Sequence, residues 1–226
     1  NIIEASLINN VKKVVALSTD KAVAPINLYG ATKLCSDKLF CAANNIIGKR
    51  KMKFTVVRYG NVLGSRGSVL PFFMNRKKHN SYFPITNKDM TRFNLTLDEG
   101  VKVVLWSLKY SYGGEIVVPK LKSFKITDLA RAIDSSIKTK VIGIRPGEKI
   151  HEELIAEADS NNTIDIGNYY IILSNKNSQS INYFKKIGTK KFNSDLTGFT
   201  YNSLNNKNYL TVNDLKKLIV IYNISD

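Results

Sequence analysis

Apolar positions along this chain recur with two different periods, and the alternation between them predicts its layout. Ile2, Ala5, Leu7 and Ile8 fall at helical intervals and predict a helix ending within residues 2–10. The run Val14-Val15-Ala16-Leu17 predicts a strand over 12–18. Leu28, Leu34, Leu39, Phe40, Ala43, Ile46 and Ile47 return to the helical period and predict a helix over 27–47. Lys53-Phe-Thr-Val-Val-Arg-Tyr59 reads as the next strand. Helix, strand, helix, strand is the order of a parallel sheet joined by crossover helices. Gly60, Gly64 and Gly67 then punctuate a loop.

Further on, Ser68 to Asn80 reads as helical, with Pro71 tolerated in the first turn. Thr96-Leu-Asp-Glu99 is a capping box that opens a helix running to about Lys109. Gly113-Gly114 ends it, and Glu115–Val118 predicts a strand. Ile126–Ser136 reads as a short amphipathic helix, Lys140–Ile144 as a strand, and His151–Ala156 as a short helix. Tyr169–Leu173 predicts a strand, whereas 174–208 is polar and expected to be mostly irregular. Thr211 caps a final helix, with Asp214 at its favourable N-terminal end. The fold class expected is α/β, the C-terminal part of a doubly wound Rossmann-type domain with a smaller α/β substrate domain. Residues 1–60 plus about 96–118 belong to the first, and 61–95 with 119–226 to the second.

Composition narrows the classes. The 226 residues are 43% hydrophobic, with no apolar run of membrane-spanning length. The start, Asn1-Ile2-Ile3-Glu4, lacks the charged and apolar regions of a secretory signal. Cys35 and Cys41 lie within one predicted helix, which argues against a disulfide and for a reducing cytoplasm. His79 and His151 read as structural, and no metal-ligand spacing exists. The net charge of +16 raises nucleic-acid binding. Yet the basic residues are spread through a Lys- and Asn-rich chain, Lys49-Arg50-Lys51 and Arg76-Lys77-Lys78 are its tight triplets, and no nucleic-acid motif accompanies them. Composition, with some charge serving to attract a diphosphate, accounts for the value. The chain opens on Asn and contains no Gly-rich turn of the dinucleotide-binding kind, so that half of the fold is expected upstream.

Candidate chemistry concentrates in Ser18-Thr-Asp-Lys-Ala-Val-Ala-Pro-Ile-Asn-Leu-Tyr-Gly-Ala-Thr-Lys33. Thr19, Asp20 and Lys21 follow the first strand, and ligands of parallel sheets bind at the carboxyl ends of strands. Tyr29 and Lys33 are spaced i, i+4 and share a helix face. The charge of Lys33 favours the Tyr29 phenolate, which can take a hydroxyl proton while hydride leaves the same carbon. Of the 11 tyrosines, Tyr29 alone has Lys four positions later, about what chance supplies in so Lys-rich a chain. On local grounds a surface Tyr–Lys pair and a solvated Asp20–Lys21 turn remain alternatives.

The longer context resembles the extended short-chain dehydrogenase/reductases, and within them the UDP-N-acetylglucosamine 4,6-dehydratases that invert C5, of the pseudaminic-acid and flagellin-glycosylation type. The likeness continues through Arg58-Tyr-Gly-Asn-Val-Leu-Gly-Ser-Arg-Gly-Ser-Val69, Pro84-Ile-Thr86, Asp89-Met-Thr-Arg-Phe93, Arg145-Pro-Gly-Glu-Lys-Ile-His-Glu152, Tyr201-Asn-Ser203 and Leu210-Thr-Val212. It implies that Tyr29 takes the C4 hydroxyl proton, Lys33 binds the cofactor ribose, Lys21 removes the C5 proton, and Asp20 protonates the departing C6 hydroxyl. Thr19 or Ser18 would orient the substrate oxygen, and Tyr59 would join Tyr29 and Lys33 on the cofactor side. NADP is the implied cofactor, with NAD as alternative, and a UDP-sugar the substrate. A cytoplasmic homo-oligomer acting in surface polysaccharide or flagellin glycan synthesis is implied, with a hexamer as one size. Membrane-bound relatives that retain C5 commonly carry Met at the position of Tyr29.

On the substrate side the resemblance points to Asn61 for the sugar or diphosphate, although Asn also suits a tight turn. Arg66, Gly67, Ser68 and Val69 would offer a cation and backbone N–H groups to phosphates at a helix start. Arg145 would be a second phosphate clamp and Glu148 would meet the uridine ribose. Phe73 would pack on uracil or be core, and Tyr201 with Asn202 would make a late substrate contact. Other nucleotide-sugar epimerases and reductases, which the resemblance takes to lack the Asp20–Lys21 pair, and a non-catalytic binding module are the alternatives. Alone, this stretch of chain is expected to be inactive and marginally stable, with an apolar sheet edge.

Overall fold

A buried arginine near the end of a strand organises the first part of the molecule. The computed structural model describes residues 1–79 and 82–225. Its helices are α1 (Ile2–Ile8), α2 (Leu28–Ala42), α3 (Val69–Lys78), α4 (Leu97–Tyr110), α5 (Ile126–Ile133), α6 (Glu157–Ser160), α7 (Ser178–Ile187) and α8 (Val212–Ser225). Its strands are β1 (Lys13–Thr19), β2 (Lys53–Tyr59), β3 (Phe83–Ile85), β4 (Thr91–Asn94), β5 (Ile116–Pro119), β6 (Lys122–Lys125), β7 (Thr139–Val141), β8 (Glu153–Ile155), β9 (Thr163–Asp165), β10 (Tyr169–Ile172) and β11 (Tyr201–Asn202). Asp20–Ala22 and Ala43–Asn45 are single 3₁₀ turns. Two compact units emerge, one of Asn1–Tyr59, Asp98–Lys120 and Glu153–Tyr201, the other of Gly60–Leu97, Leu121–Glu152 and the chain from Asn202 onward.

The first unit is built on a five-stranded sheet in the order β1-β2-β5-β10-β9. β1, β2 and β5 are parallel, with Thr19 opposite Tyr59 and Val57 opposite Val117. β10 turns the direction, pairing antiparallel with both β5 and β9. β2 is covered on both faces, so its near-continuous apolar run is what a central parallel strand requires. Arg58 interrupts that run and is 1% exposed. Its Nη2 lies 3.1 Å from Asp37 Oδ2 on α2, and its Nη1 donates to the Leu154 carbonyl at 3.1 Å and meets Asp159 at 3.4 Å. A second buried carboxylate, Glu115, fastens the turn before β5. It accepts from the Tyr112 and Gly113 N–H groups at 2.9 and 2.6 Å and from Thr55 Oγ1 at 3.0 Å. Burial pushes the Glu115 carboxyl above its ordinary value, and those donors pull the other way.

The second unit has its own core of Leu70, Phe73, Phe83, Phe124, Leu129 and Leu215. Two small ladders frame it, β3 parallel to β7 and β4 antiparallel to β6. Its last helix opens as the capping pattern foretells. Thr211 Oγ1 donates to Asp214 Oδ2 at 2.7 Å, and the Asp214 N–H returns to Thr211 Oγ1 at 3.2 Å.

Several elements depart from expectation. α2 stops at Ala42 rather than 47, because Asn44 donates to the Cys41 carbonyl at 3.1 Å and to the Phe54 carbonyl at 2.9 Å, tying the chain to β2. His151–Ala156 is not a helix. Leu154 and Ile155 are fully buried in β8, and α6 follows it. Residues 174–208 contain α7, which a sequence search for Glu or Gln in the capping box misses, because Ser180 fills that place opposite Asn177. Residues 153–201 join the first unit rather than the second, since β9 and β10 complete its sheet. The expected end of α3 at Asn80 lies outside the described residues.

The Arg58–Asp37 pair yields a stability prediction. Arg58→Met leaves a buried carboxylate uncompensated and should cost about 3–5 kcal/mol in urea unfolding of the intact protein. Adding Asp37→Leu should recover at least half of that loss. No recovery in the double variant would show that packing, not charge, dominates this position.

Candidate active site

Three side chains meet where β1 ends. Asp20 is buried at 2% exposure, directly after the strand. Thr19 Oγ1 donates to Asp20 Oδ1 at 2.7 Å, and Lys21 Nζ contacts the two carboxylate oxygens at 3.0 and 3.3 Å. Thr19 also caps the 3₁₀ turn, accepting from the Lys21 N–H at 3.5 Å. The Lys21 side chain is 38% exposed, so the pair has one buried and one accessible member. Ser18 Oγ is buried and has no hydrogen-bond partner.

The helix carrying Tyr29 is pressed against this turn. Asn27 caps α2 by accepting from the Gly30 N–H at 2.8 Å. A Cβ at Gly30 would collide with the Lys21 carbonyl oxygen and touch Pro25 Cβ, so only glycine permits the approach. Between turn and helix, Ala24 adopts φ +40°, a left-handed conformation that costs a non-glycine residue about 1 kcal/mol or more and gathers at functional sites. Tyr29 is half exposed. Lys33 Nζ lies 3.4 Å from the Leu17 carbonyl, which holds its ammonium at the carboxyl edge of the sheet. Tyr59 ends β2 opposite Thr19, and burial pushes its phenol up. Thr19 and Tyr59 thus end β1 and β2, Asp20 and Lys21 follow in the 3₁₀ turn, and Tyr29 and Lys33 stand on α2, with Lys33 reaching back to β1. An ammonium beside a phenol at such an edge is a donor set that suits ribose hydroxyls, so these residues fit a nicotinamide dinucleotide.

In the second unit, Glu152 is the centre of a polar cluster. It is 3% exposed and accepts from Asn61 Nδ2 at 2.5 Å and from the Phe93 N–H at 2.9 Å, with Arg92 Nε at 3.4 Å. The Glu152 N–H donates to Ser203 Oγ at 2.9 Å, and Ser203 Oγ bonds Thr91 Oγ1, which meets His151 Nδ1 at 2.8 Å. Glu148 faces Arg92 at 3.6 Å and accepts from Thr86 at 3.4 Å. Arg145 and Arg66 are exposed, and Gly67 has φ +78° in the loop before α3. Ser68 precedes α3 without a side-chain cap, its Oγ buried and unpartnered, and Val69 opens the helix.

Two expected substrate contacts are otherwise employed. Phe73 is buried and stacks on Phe83 at 4.8 Å between centroids, so core is its place and no ring face is left for uracil. Tyr201 is buried in the first unit, 5.1 Å from the Tyr170 ring. Asn202 spends its side-chain oxygen on the Leu204 and Asn205 N–H groups at 3.0 and 2.9 Å, an Asx turn. Sequence reasoning passed over Arg58, Asp37 and Glu152. The signal for Arg58 was a cation inside an apolar strand, and for Asp37 its place four residues after Lys33. Among the described residues no helix is long and apolar enough to cross a membrane, and no group of three side chains could hold a metal ion.

A sheet whose β1, β2 and β5 run parallel, with crossover helices and a Tyr-x-x-x-Lys helix at its carboxyl edge, is a Rossmann-type fold. A family described as "Polysaccharide biosynthesis protein" matches residues 1–174, and the chain belongs to it. It is 48% identical to the UDP-N-acetylglucosamine 4,6-dehydratase (inverting) of Campylobacter jejuni over 97% of this chain and 66% of that protein. It is 41% identical to a protein of Rickettsia bellii named UDP-glucose 4-epimerase, over 82% of this chain and 55% of that one. Among solved structures, Pen from Bacillus thuringiensis matches with a TM-score of 0.81 at 32% identity, over 97% of this chain and 65% of that chain. The dTDP-glucose 4,6-dehydratase of Bacillus anthracis, in complex with NAD, shares the fold at a TM-score of 0.57 and 14% identity, over 65% and 54% of the two chains.

The cluster around Thr91 generates a pH prediction. Burial first, then the charge of Arg92, holds the His151 imidazole below its ordinary value, with Asp89 opposing. A depressed histidine is neutral in the fold, so its contribution is complete above the ordinary value of about 6.5 and is lost as pH falls through that value. The urea midpoint should therefore drop between about pH 7.5 and 5.5, and His151→Asn should reduce the drop. An identical drop in the variant would assign it to other groups.

Proposed function

We propose that this chain is the catalytic part of an NADP-dependent UDP-N-acetylglucosamine 4,6-dehydratase that inverts C5, a homo-oligomer of the cytoplasm serving surface polysaccharide or flagellin glycan synthesis. The observation that carries the reading is the Asp20–Lys21 contact at the end of β1, with α2 seated on its backbone through Gly30. The Campylobacter jejuni relative supports the choice of substrate.

Tyr29 takes the proton of the C4 hydroxyl, and Lys33 holds the ribose. A bound nicotinamide supplies reversible acceptance of hydride, taken from C4 and returned at C6. The C4 ketone acidifies the C5 proton, which Lys21 removes. Asp20 protonates the C6 hydroxyl, which departs as water when the C5–C6 double bond forms. Lys21 Nζ lies 3.0 Å from Asp20 Oδ1, so the groups assigned as base and acid stand side by side. Thr19 Oγ1 donates to the same Asp20 oxygen and holds it in place. A solvent proton delivered to C5 on the face opposite Lys21 would invert that centre. Asn61, Arg66, Gly67, Ser68 and Val69, with Arg145 and Glu148, serve the sugar and diphosphate.

The likeness to the Rickettsia bellii protein supports a second reading, 4-epimerisation, which needs no acid at C6. NMR of UDP-N-acetylglucosamine with the intact protein in deuterium oxide separates the two. A C6 methyl signal with deuterium at C5 is expected, and Lys21→Ala should slow its appearance by about 10²–10⁴-fold. A C4 epimer without a methyl would establish the second reading, and an unchanged rate in the variant would remove Lys21 as the base.

A further inference from the structure

The second unit carries a surface on which cations, aromatic rings and aliphatic side chains alternate along two stretches that contain no carboxylate. From Asn61 to Lys88 and from Ser135 to Gly147 there is no Asp or Glu. The two stretches are brought together by the parallel pairing of β3 with β7, where Pro84 lies opposite Lys140 and the Ile142 N–H donates to the Ile85 carbonyl at 2.9 Å. The Arg76 guanidinium stands over the Phe72 ring at 5.4 Å and the Tyr82 ring at 5.7 Å, and Lys140 Nζ stands over the other stretch's Tyr82 at 5.3 Å. Phe72 and Tyr82 are 40% and 42% exposed. Beyond Lys140 the chain continues with Val141 and Ile142, also nearly half exposed, and all three residues of β7 face solvent. Lys78 and Lys138 are exposed as well, whereas Lys77 is paired with Asp134 at 3.3 Å.

We propose that this patch is a docking surface for an anionic lipid bilayer. Charge complementarity calls for a negative partner, since cations near an anionic leaflet each add to binding, the two stretches themselves hold no carboxylate, and the bordering Asp134 is paired with Lys77. Chemistry then selects among negative partners. Nucleic acid and acidic peptides match the cations and rings but leave Val141 and Ile142 in water. A membrane interface takes all three groups: phosphates meet Arg76, Lys140, Lys78 and Lys138, the rings settle at headgroup level, and the aliphatic chains enter the acyl boundary. Attachment is peripheral and reversible. The proposal is independent of the reaction assigned above, because none of its residues takes part in that reaction.

Co-sedimentation of the intact protein with vesicles tests it. Vesicles of equal parts phosphatidylglycerol and phosphatidylcholine should bind the protein, vesicles of phosphatidylcholine alone should bind it at least about tenfold less, and added salt should weaken binding. Arg76→Gln with Lys140→Gln should lower the affinity about tenfold or more, with an unchanged thermal unfolding midpoint. Ile142→Ser, which leaves every charge in place, should also weaken binding to the mixed vesicles. Equal binding to both vesicle types, or a double glutamine variant that binds like the parent, would overturn the proposal. Retention on a single-stranded oligonucleotide, lost in the same double variant and with no vesicle binding, would assign the patch to nucleic acid instead.

Discussion

The fold of the first unit depends on one buried ion pair. α2 buries two of its own residues, Gly30 and Asp37, so it is not seated by a broad apolar ridge. It is seated by a glycine that permits close approach and by a carboxylate that Arg58 holds from near the carboxyl end of β2. Charge pairs of this kind add little net stability against an apolar alternative, yet they tolerate few geometries. Asp37 lies on the helical face of Lys33 and Tyr29, at steps of four residues. Locking Asp37 therefore sets the rotation of the helix about its axis, and with it the directions in which the phenol and the ammonium leave that axis. The outward face is left to Leu28 and Leu39, both well exposed.

The second unit solves a similar problem with a neutralised cluster. Glu152 gathers an amide, a guanidinium and a backbone N–H, while its own backbone reaches Ser203. Three separate stretches of sequence are thereby fixed to one residue. Each donor satisfies a charge that would otherwise be costly to bury. The arrangement gives Asn61 a defined orientation, which a loop residue among the punctuating glycines Gly60, Gly64 and Gly67 would not have by itself.

The sequence was most readable where a single period ruled a long segment. β1, β2 and α4 follow their apolar patterns closely, and the 18–33 stretch declares its chemistry because so many functional side chains fall between a strand and a helix cap. It was least readable where burial, not periodicity, decides. β8 is short, and its Leu154 and Ile155 look equally helical until tertiary contacts take both. α7 hides among Asn, Ser and Lys because its apolar face is narrow and its capping box uses Ser180. Phe73 shows the reverse difficulty, since an aromatic near a phosphate-like loop invites a ligand role while its neighbour Phe83 claims the ring. Arg58 and Glu152 carry no local mark of their partners, which lie 21 and 91 residues away in Asp37 and Asn61.

The missing side chain at residue 30 has an evolutionary side. On the proposed reading, the redox pair and the elimination pair sit on opposite flanks of that one close approach. A methyl group there would push first on the carbonyl of Lys21 and leave the helical spacing of Tyr29 and Lys33 intact. A lineage that acquired it would keep the apparatus for oxidising C4 and lose the apparatus for expelling water. That close approach is thus also a point where one descendant chemistry can part from another.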